Sequence, residues 1–600
     1  MANPQNVQGT LCAPLDLSHH FSEVTKNRLN SQVKGLYKYL SMPGLHNLAG
    51  GLPHESYFPY DTLEATAARP ERFKLLDPSK SNSNKPAEWH LRVPKIKETT
   101  DLLKKIDLET ALQYGTAQGY PPLYTFIREF TRDHLHPNVP YIDGPEVIMS
   151  CGSTDGLGKA IEALTNPWDE KKDWIQDKEG VLFEEFAYMN AVQTVKPRGL
   201  NVVTVAVDSD GMKAAGPGGL EDVLSNWDFK KGRRPHLMYT VTSVFPPGFQ
   251  VWLDEEVLML VYNSLGQNPT GSTTPIERRK ELYSLCQAYD IIIIEDEPYW
   301  NLQFPSLRET AAGYRGEAVR RDSYIKNYNS QGRSSGYQFL DSLCPSFLSV
   351  DVDGRVVRLD TFSKTIAPGC RLGWITAQPA IIERITRITE TSTQQPSGFV
   401  QAMIAQLLLE QQGSTVAQTP DKDTSGWSMD GWVGWLEGLR DAYQRRVHDM
   451  CTILEEGKTV AIDGVPGLDS WSVISKAPMY DFDWPVAGMF IWIKIRYDTH
   501  PLLSIYGAEK VCTALWFFLL KKPFQCIVAP GMMFAPTETM RGRAFQYMRL
   551  CFAPMAEDAV SDISHNFVAG CRAFWQLENF DDIPGLDETI MPERMGVQMC

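Results

Sequence analysis

Lys364 follows Ser363 directly and precedes Arg371 by seven residues, in the run Asp360-Thr361-Phe362-Ser363-Lys364-Thr365-Ile366-Ala367-Pro368-Gly369-Cys370-Arg371-Leu372-Gly373-Trp374. A primary amine among hydroxyls, with a guanidinium close by in sequence, suits a covalent bond to an aldehyde cofactor that carries a phosphate. The lysine would be the nucleophile. The arginine would grip phosphate oxygens in a planar, two-pronged way that lysine cannot copy. Pyridoxal phosphate is the cofactor such a pair serves. The plain alternative is a solvated surface lysine, since Ser-Lys also occurs at Ser79-Lys80 and Ser475-Lys476. Neither of those pairs has the glycine and arginine downstream, and Ser79-Lys80 sits in a Ser/Asn-rich stretch that reads as loop.

Three other segments carry compatible chemistry. Glu295-Asp296-Glu297-Pro298-Tyr299 follows the apolar run Ile291 to Ile294. A carboxylate just past a buried strand can pair with a protonated pyridine nitrogen and make the ring an electron sink. Asp296 is preferred because strand alternation turns Glu295 and Glu297 to the other face; the alternative is a solvated acidic cluster. In Gly266-Gln267-Asn268-Pro269-Thr270-Gly271 the Asn268 amide could donate to a phenolate oxygen from a tight turn, although Asn-Pro also occurs at Asn166-Pro167. Gly152-Ser153-Thr154-Asp155-Gly156 opens a helix after a strand, where free amides and the helix dipole favour a phosphate. It is neither a P-loop nor a dinucleotide fingerprint.

These residues need a sheet to align them. Between Glu146 and about Thr376, short apolar runs alternate with helical segments, as in a parallel sheet with crossover helices. Strands are expected at Val147–Met149, Val202–Val205, His236–Tyr239, Ile291–Ile294 and Val356–Leu359. The chemically suggestive residues fall after carboxyl ends of such strands, where ligands of these sheets bind. Before the sheet come an amphipathic helix expected over Ser22–Tyr39, a turn at Leu48-Ala49-Gly50-Gly51-Leu52-Pro53, and a polar stretch, Asp77 to Lys97, read as exposed loop. At 600 residues, 43% hydrophobic and 22% charged, the chain can bury a large core with little room for extensive disorder.

A net charge of −15 argues against a nucleic-acid surface. Eleven cysteines, none in a Cys-x-x-Cys pair, read as reduced core residues, not as a disulfide framework or zinc ribbon, which points to the cytoplasm. No metal site is expected. Met1 to Asn6 lacks a basic region followed by an apolar run, so no signal peptide is expected. The apolar stretch from Val511 to Leu520 is too short to span a membrane.

Together, Asn268-Pro269-Thr270-Gly271, Asp296-Glu297-Pro298-Tyr299, Ser363-Lys364 and Arg371 stand in the order that marks fold type I aminotransferases of classes I and II, and the chain resembles that family over most of residues 20 to 575. Leu48 to Pro53 and Leu112-Gln113-Tyr114-Gly115 are similar to fungal aromatic-amino-acid and kynurenine/aminoadipate aminotransferases. The resemblance implies an α/β large domain with a mostly parallel seven-stranded sheet flanked by helices, and a smaller α+β C-terminal domain. The expected division is an arm at 1–60 packing with the small domain, a large domain at 61–410 with an insertion near 305–350, and a small domain at 411–600 with an insertion near 412–432. It implies that Lys364 is the Schiff-base lysine and proton shuttle, and that Asp296 meets the pyridine nitrogen. Asn268 and Tyr299 would bond the phenolic oxygen, Tyr188 would stack on the ring, and Ser153, Thr154, Thr361, Ser363 and Arg371 would hold the phosphate. Arg549 would receive the substrate carboxylate, with Gly51 and Asn268 also near substrate. Tyr114 would reach the phosphate from the partner of a homodimer. The implied reaction exchanges the amino group of phenylalanine, tyrosine, tryptophan or kynurenine with a 2-oxo acid such as 2-oxoglutarate. Open alternatives are a lyase of the same fold resembling aminocyclopropane-carboxylate synthase, a 2-aminoadipate, methionine or leucine aminotransferase, and a regulator using the fold as a sensor. The last lacks a basic recognition helix ahead of Val147.

Overall fold

The computed structural model describes residues 11–31, 51–73, 88–208, 210–241, 268–270, 274–304, 306–316, 333–409, 427–462 and 475–583, with scattered positions at 35, 39, 42, 44, 48, 49 and 586. A hairpin of β1 (Thr62–Ala68) and β2 (Glu88–Pro94) precedes the main sheet. That sheet is built from β3 (Glu146–Ser150), β4 (Gly180–Glu184) and β5 (Asn201–Val205). After a small hairpin, β6 (Val207–Asp208) with β7 (Gly211–Met212), it continues with β8 (Leu237–Thr240), β9 (Ile292–Asp296), β10 (Val356–Thr361) and β11 (Gly373–Ala377). Its order is β3-β11-β10-β9-β8-β4-β5. Neighbours pair in parallel except β11, which runs antiparallel to both β10 and β3.

Burial on both faces explains the unbroken apolar runs. Alternate residues go to opposite layers. Val181, Phe183, Tyr239, Ile292, Ile294, Val357 and Leu359 pack on one face with Leu157 and Ile161 of the helix Ser153–Leu164. Leu182, Met238, Ile293 and Val356 pack on the other with Leu282, Tyr283 and Cys286 of the helix Ile276–Ala288.

The C-terminal part adds a hairpin of β12 (Thr459–Ile462) and β13 (Ser475–Pro478), then an antiparallel sheet of β14 (Tyr480–Phe482), β15 (Phe490–Ile495), β16 (Ala529–Pro530) and β17 (Tyr547–Cys551), ordered β14-β15-β17-β16. The helices Ala508–Leu520 and Ala559–Phe574 supply core side chains beside it, and the long helix Ser428–Gly457 does the same. Arg315, at the end of the helix Ser306–Arg315, reaches from the expected insertion into this part. It donates to the Phe482 carbonyl at 2.8 Å and pairs with Glu455 and Asp483. Among the described residues no helix is long and apolar enough to cross a membrane.

Two expectations change. The loop expected from Asp77 to Lys97 contains β2, whose Trp89, Leu91 and Val93 turn to one face while Glu88, His90 and Arg92 turn outward, so a period-two strand lay behind the polar run. The helix expected over Ser22–Tyr39 is, in the described residues, only Glu23–Asn27, capped by Ser22. Arg28 then leaves helical geometry, its side chain drawn to Glu162 and Thr391 and its carbonyl bonded by Arg387. In the described part of the arm, Leu15 N–H donates to the Asp353 carbonyl and Ser22 donates to the Glu162 and Ala163 carbonyls, all in the large domain. Of the two expected insertions, residues 317–332 and 410–426 lie outside the described residues, as do Gly266, Gln267 and Gly271 of the asparagine turn and Gly50 of the turn at 48–53.

Candidate active site

The carboxyl ends of β3, β4, β9 and β10 carry most of the residues singled out from sequence. At the end of β3, Gly152 has φ +95°, and a Cβ there would stand 2.6 Å from Arg371 Nη2. Only glycine both takes this backbone conformation without strain and lets the guanidinium come so close. Arg371 donates through Nη2 to the Cys151 carbonyl at 3.0 Å, and through Nη1 to the Pro368 carbonyl at 3.1 Å and Ser363 Oγ at 3.4 Å. Ser363 Oγ lies 2.9 Å from Thr361 Oγ1, which also accepts the Ser363 N–H. Asp155 ties the turn by accepting from Cys151 N and Lys159 Nζ. The result is an exposed guanidinium, two hydroxyls and the start of the helix Ser153–Leu164, with Ser153 and Thr154 in its first turn. Such a set is built for an anion.

Asp296 ends β9 and is buried. Its Oδ2 accepts from the Tyr239 hydroxyl at 2.9 Å, while Oδ1 is buried without a well-aligned hydrogen-bond partner among the described residues. Burial pushes its carboxyl up to about 6, and the hydroxyls of Tyr239 and Ser153 oppose that rise. Glu295, one residue earlier, faces the other side of the sheet. There it pairs with Arg279 at 2.6 Å and Arg358 at 3.1 Å, all three side chains fully buried, and Arg358 also pairs with Asp360. That buried network lies beneath the strand ends that carry Asp296 and Lys364, and removing one partner from such a set leaves uncompensated buried charge.

Lys364 is half-buried in the loop after β10, with its Nζ 5.9 Å from the centre of the buried Tyr299 ring. Burial lowers its amine below the ordinary lysine range; the nearby Cys551 opposes that shift and the Arg549 charge adds to it. Arg549 projects from β17, flanked by the rings of Phe490 at 4.1 Å and Phe534 at 4.6 Å. Its Nη1 donates to Asn268 Oδ1 at 2.5 Å, and its Nε is buried without a hydrogen-bond partner. Asn268 itself is buried, next to a cis peptide bond to Pro269. Tyr188 follows β4, and its hydroxyl accepts from Asn190; it is near enough to Tyr299 and Arg549 to influence their charges.

One cluster thus links Lys364, Tyr299, Asn268, Arg549, Tyr188 and Asp296, with the anion cup of Ser153, Thr361, Ser363 and Arg371 beside it. Tyr114 and Gly51 are exposed, and no contact joins them to this cluster among the described residues. Tyr239, Phe490, Phe534 and Cys551 were not foreseen. Tyr239 had a legible signal, a tyrosine at the end of a buried strand beside the one bearing Asp296. The three residues of the C-terminal sheet region had none, because nothing local in their sequence ties them to Lys364.

The family model described as aminotransferase class I and II matches residues 80–496. An aromatic amino acid aminotransferase of Schizosaccharomyces pombe is 34% identical over 490 residues, 80% of this chain and 82% of the relative. An L-tyrosine:2-oxoglutarate aminotransferase of Serpula lacrymans is 29% identical over 561 residues, 92% of this chain and 87% of the relative. Among solved structures, aminotransferase Aro8 from Candida albicans superposes with a TM-score of 0.69 at 29% identity, covering 94% of this chain and all of that one.

Proposed function

The chain belongs to the class I and II aminotransferases, and from that premise we propose that the Lys364 cluster is where it exchanges amino groups. The protein is a pyridoxal-phosphate-dependent transaminase that moves the amino group of an aromatic amino acid to a 2-oxo acid such as 2-oxoglutarate. The assignment of roles to its residues rests above all on the buried Oδ1 of Asp296, which has no well-aligned hydrogen-bond partner among the described residues.

The residues present fit the cofactor. Asp296 Oδ1 offers a buried acceptor for a protonated ring nitrogen. The bare Gly152 and the Arg371 guanidinium leave an anion cup of phosphate character. Lys364 has no ion-pair partner among the described residues and a lowered affinity for protons. When bound, pyridoxal phosphate supplies an aldehyde carbon that exchanges amines and a ring that draws electrons from the substrate's α-carbon.

The chain's own groups do the rest. Arg371, Ser363, Thr361, Ser153 and Thr154 hold the phosphate. Asp296, kept in place by Tyr239, holds the ring nitrogen protonated. Asn268 and Tyr299 orient the phenolic oxygen, and Tyr188 covers one ring face. Arg549 takes the substrate α-carboxylate as a fork, its flanking phenylalanines excluding water and strengthening the pairing. Lys364 Nζ, its hold on a proton weakened by burial, takes the proton from the substrate α-carbon and returns it one position along.

The active unit is a homodimer in which Tyr114 reaches the phosphate of the partner's site, a reading its exposure supports, while Gly51 offers backbone near the substrate. A cytoplasmic location agrees with the buried thiols of Cys286, Cys344, Cys451, Cys512 and Cys571, none of them in a disulfide. The test is visible absorbance of the purified protein and of Lys364→Ala, followed by a donor screen with 2-oxoglutarate. Loss in the variant of an absorbance that responds to amino acids, with phenylalanine or tyrosine leading the screen, supports the reading. A wild-type spectrum unmoved by any amino acid refutes it.

A further inference from the structure

At the end of the sheet opposite the catalytic loops, the N-terminal segment meets a group of histidines and carboxylates that the transamination chemistry does not use. His19 Nε2 lies 2.6 Å from Asp290 Oδ2, and His20 Nε2 lies 3.1 Å from Asp290 Oδ1. One ligand atom from each of these three residues falls within 4.8 Å of the others. Asp290, just before β9, is held at φ +54°, a left-handed conformation uncommon for a non-glycine residue. Behind them, His20 Nδ1 faces His236 Nδ1 at 3.0 Å, and His236 Nε2 faces Glu179 Oε2 at 3.4 Å. Asn166 fixes Glu179 through both its backbone and side-chain N–H groups.

The relay Asp290, His20, His236, Glu179 has three contacts. A third proton or a cation can fill the outermost of them, at His20 Nε2, which is buried, lies 3.1 Å from Asp290 Oδ1 and makes no well-aligned hydrogen bond among the described residues.

A cation on His20 Nε2 fits the remaining contacts. His20 Nδ1–H then donates to His236, and His236 Nε2–H donates to Glu179, with both rings neutral. That is the outer-shell arrangement by which proteins fix a ligating histidine. We propose that His19, His20 and Asp290 form a structural divalent-cation site suited to zinc, oriented by His236 and Glu179, that staples the N-terminal segment to β8 and β9.

Two imidazoles and a carboxylate, with water as fourth ligand, match the nitrogen and oxygen preference of zinc and cobalt. Tetrahedral bonds of this kind set ligand atoms about 3.3 Å apart, slightly wider than the contacts here. His19 and Asp290 have side chains 57% and 52% exposed and can open to that spacing. Arg355 Nη1 stands 3.7 Å from Asp290 Oδ1, but its charge is met by Asp353 at 2.8 Å and by the carbonyls of Cys286 and Ile291.

The experiment titrates untagged, chelator-treated holoenzyme with Co²⁺ followed by visible absorbance, and with Zn²⁺ followed by calorimetry. The expected result is one saturable equivalent at about 10 μM or tighter. It should weaken at least tenfold in His19→Ala and Asp290→Asn, and about 10–100-fold in His236→Phe, with transaminase activity of His19→Ala unchanged. His19 is exposed, so its variant keeps the test valid where His20→Ala fails to fold. Absence of saturable binding overturns the proposal and leaves the relay to a third proton; binding that survives both His19→Ala and Asp290→Asn overturns it as uptake by other surface groups.

Discussion

Asp296→Asn should act in opposite directions on the cofactor-free and cofactor-loaded protein. Burial lifts the Asp296 carboxyl from 3.8 to about 6. At about 1.36 kcal/mol per unit, the gap is a penalty of about 3 kcal/mol for keeping the carboxylate charged in the cofactor-free protein. The folded value is the higher one, so between the two values the folded chain holds more protons than the unfolded chain, and this group makes stability fall as pH rises through that window. Roughly half of the penalty is present at pH 5 and all of it at pH 8, a change of about 1.4 kcal/mol. Asparagine abolishes that slope, although its own amide donor, left without an acceptor, costs about 1–3 kcal/mol at every pH. Unfolding of the cofactor-free forms in urea should therefore show the variant gaining about 1.4 kcal/mol on the wild type from pH 5 to pH 8. In the loaded protein the variant lacks the charge that holds the ring nitrogen, and cofactor affinity should drop by about 2–3 kcal/mol, roughly 30- to 150-fold. A stability difference that does not change with pH, or an unchanged affinity for pyridoxal phosphate, would refute the reasoning.

Lys364→Ala should lower kcat by about 10³-fold or more through loss of the proton carrier, measured as 2-oxo acid formed from phenylalanine, while the protein still takes up cofactor by equilibrium dialysis. Arg549→Lys keeps the charge but loses the fork held between Phe490 and Phe534, so kcat/KM for aromatic donors should fall about 10–100-fold, mostly through KM. Gly152→Ala places a Cβ 2.6 Å from Arg371 Nη2 at a positive φ, and should weaken pyridoxal phosphate binding more than binding of the phosphate-free aldehyde, read by fluorescence titration. Glu295→Gln leaves Arg279 and Arg358 short of a buried counter-charge and should cost about 3–5 kcal/mol of stability, read by chemical unfolding.

Legibility followed locality. The choice of Asp296 over Glu295 needed only strand alternation, and Glu295 does sit on the other face with Arg279 and Arg358. The strands around Ile292 and Val356 stood out because parallel strands buried on both faces leave unbroken apolar runs. The strand Glu88–Pro94 was hidden because its alternation is short and follows a long Ser/Asn-rich stretch. The antiparallel course of β11 was equally hidden, since direction is set by pairing partners that sequence does not name. Phe490, Phe534 and Cys551 reach the Lys364 and Arg549 neighbourhood only through the packing of two domains, a long-range fact that no window of residues records. Arg28 ended a helix that periodicity would have carried to Tyr39, because distant Glu162 and Thr391 claim its side chain.

The reversal at β11 also bears on which parts of this protein tolerate engineering. Because Thr361 on β10 pairs directly with Gly373 on β11, the chain leaves and re-enters the sheet at the same end of the strands, and the loop between carries both Lys364 and Arg371. A parallel neighbour would have needed a crossover to the opposite end of the sheet, separating the amine from the guanidinium by a whole helix. Here their spacing is set by a short closed circuit, so even a single inserted residue would shift one against the other. Circular permutation, tags and loop grafts therefore belong outside 361–373, and libraries meant to retune this enzyme should vary composition within that span while holding its length fixed.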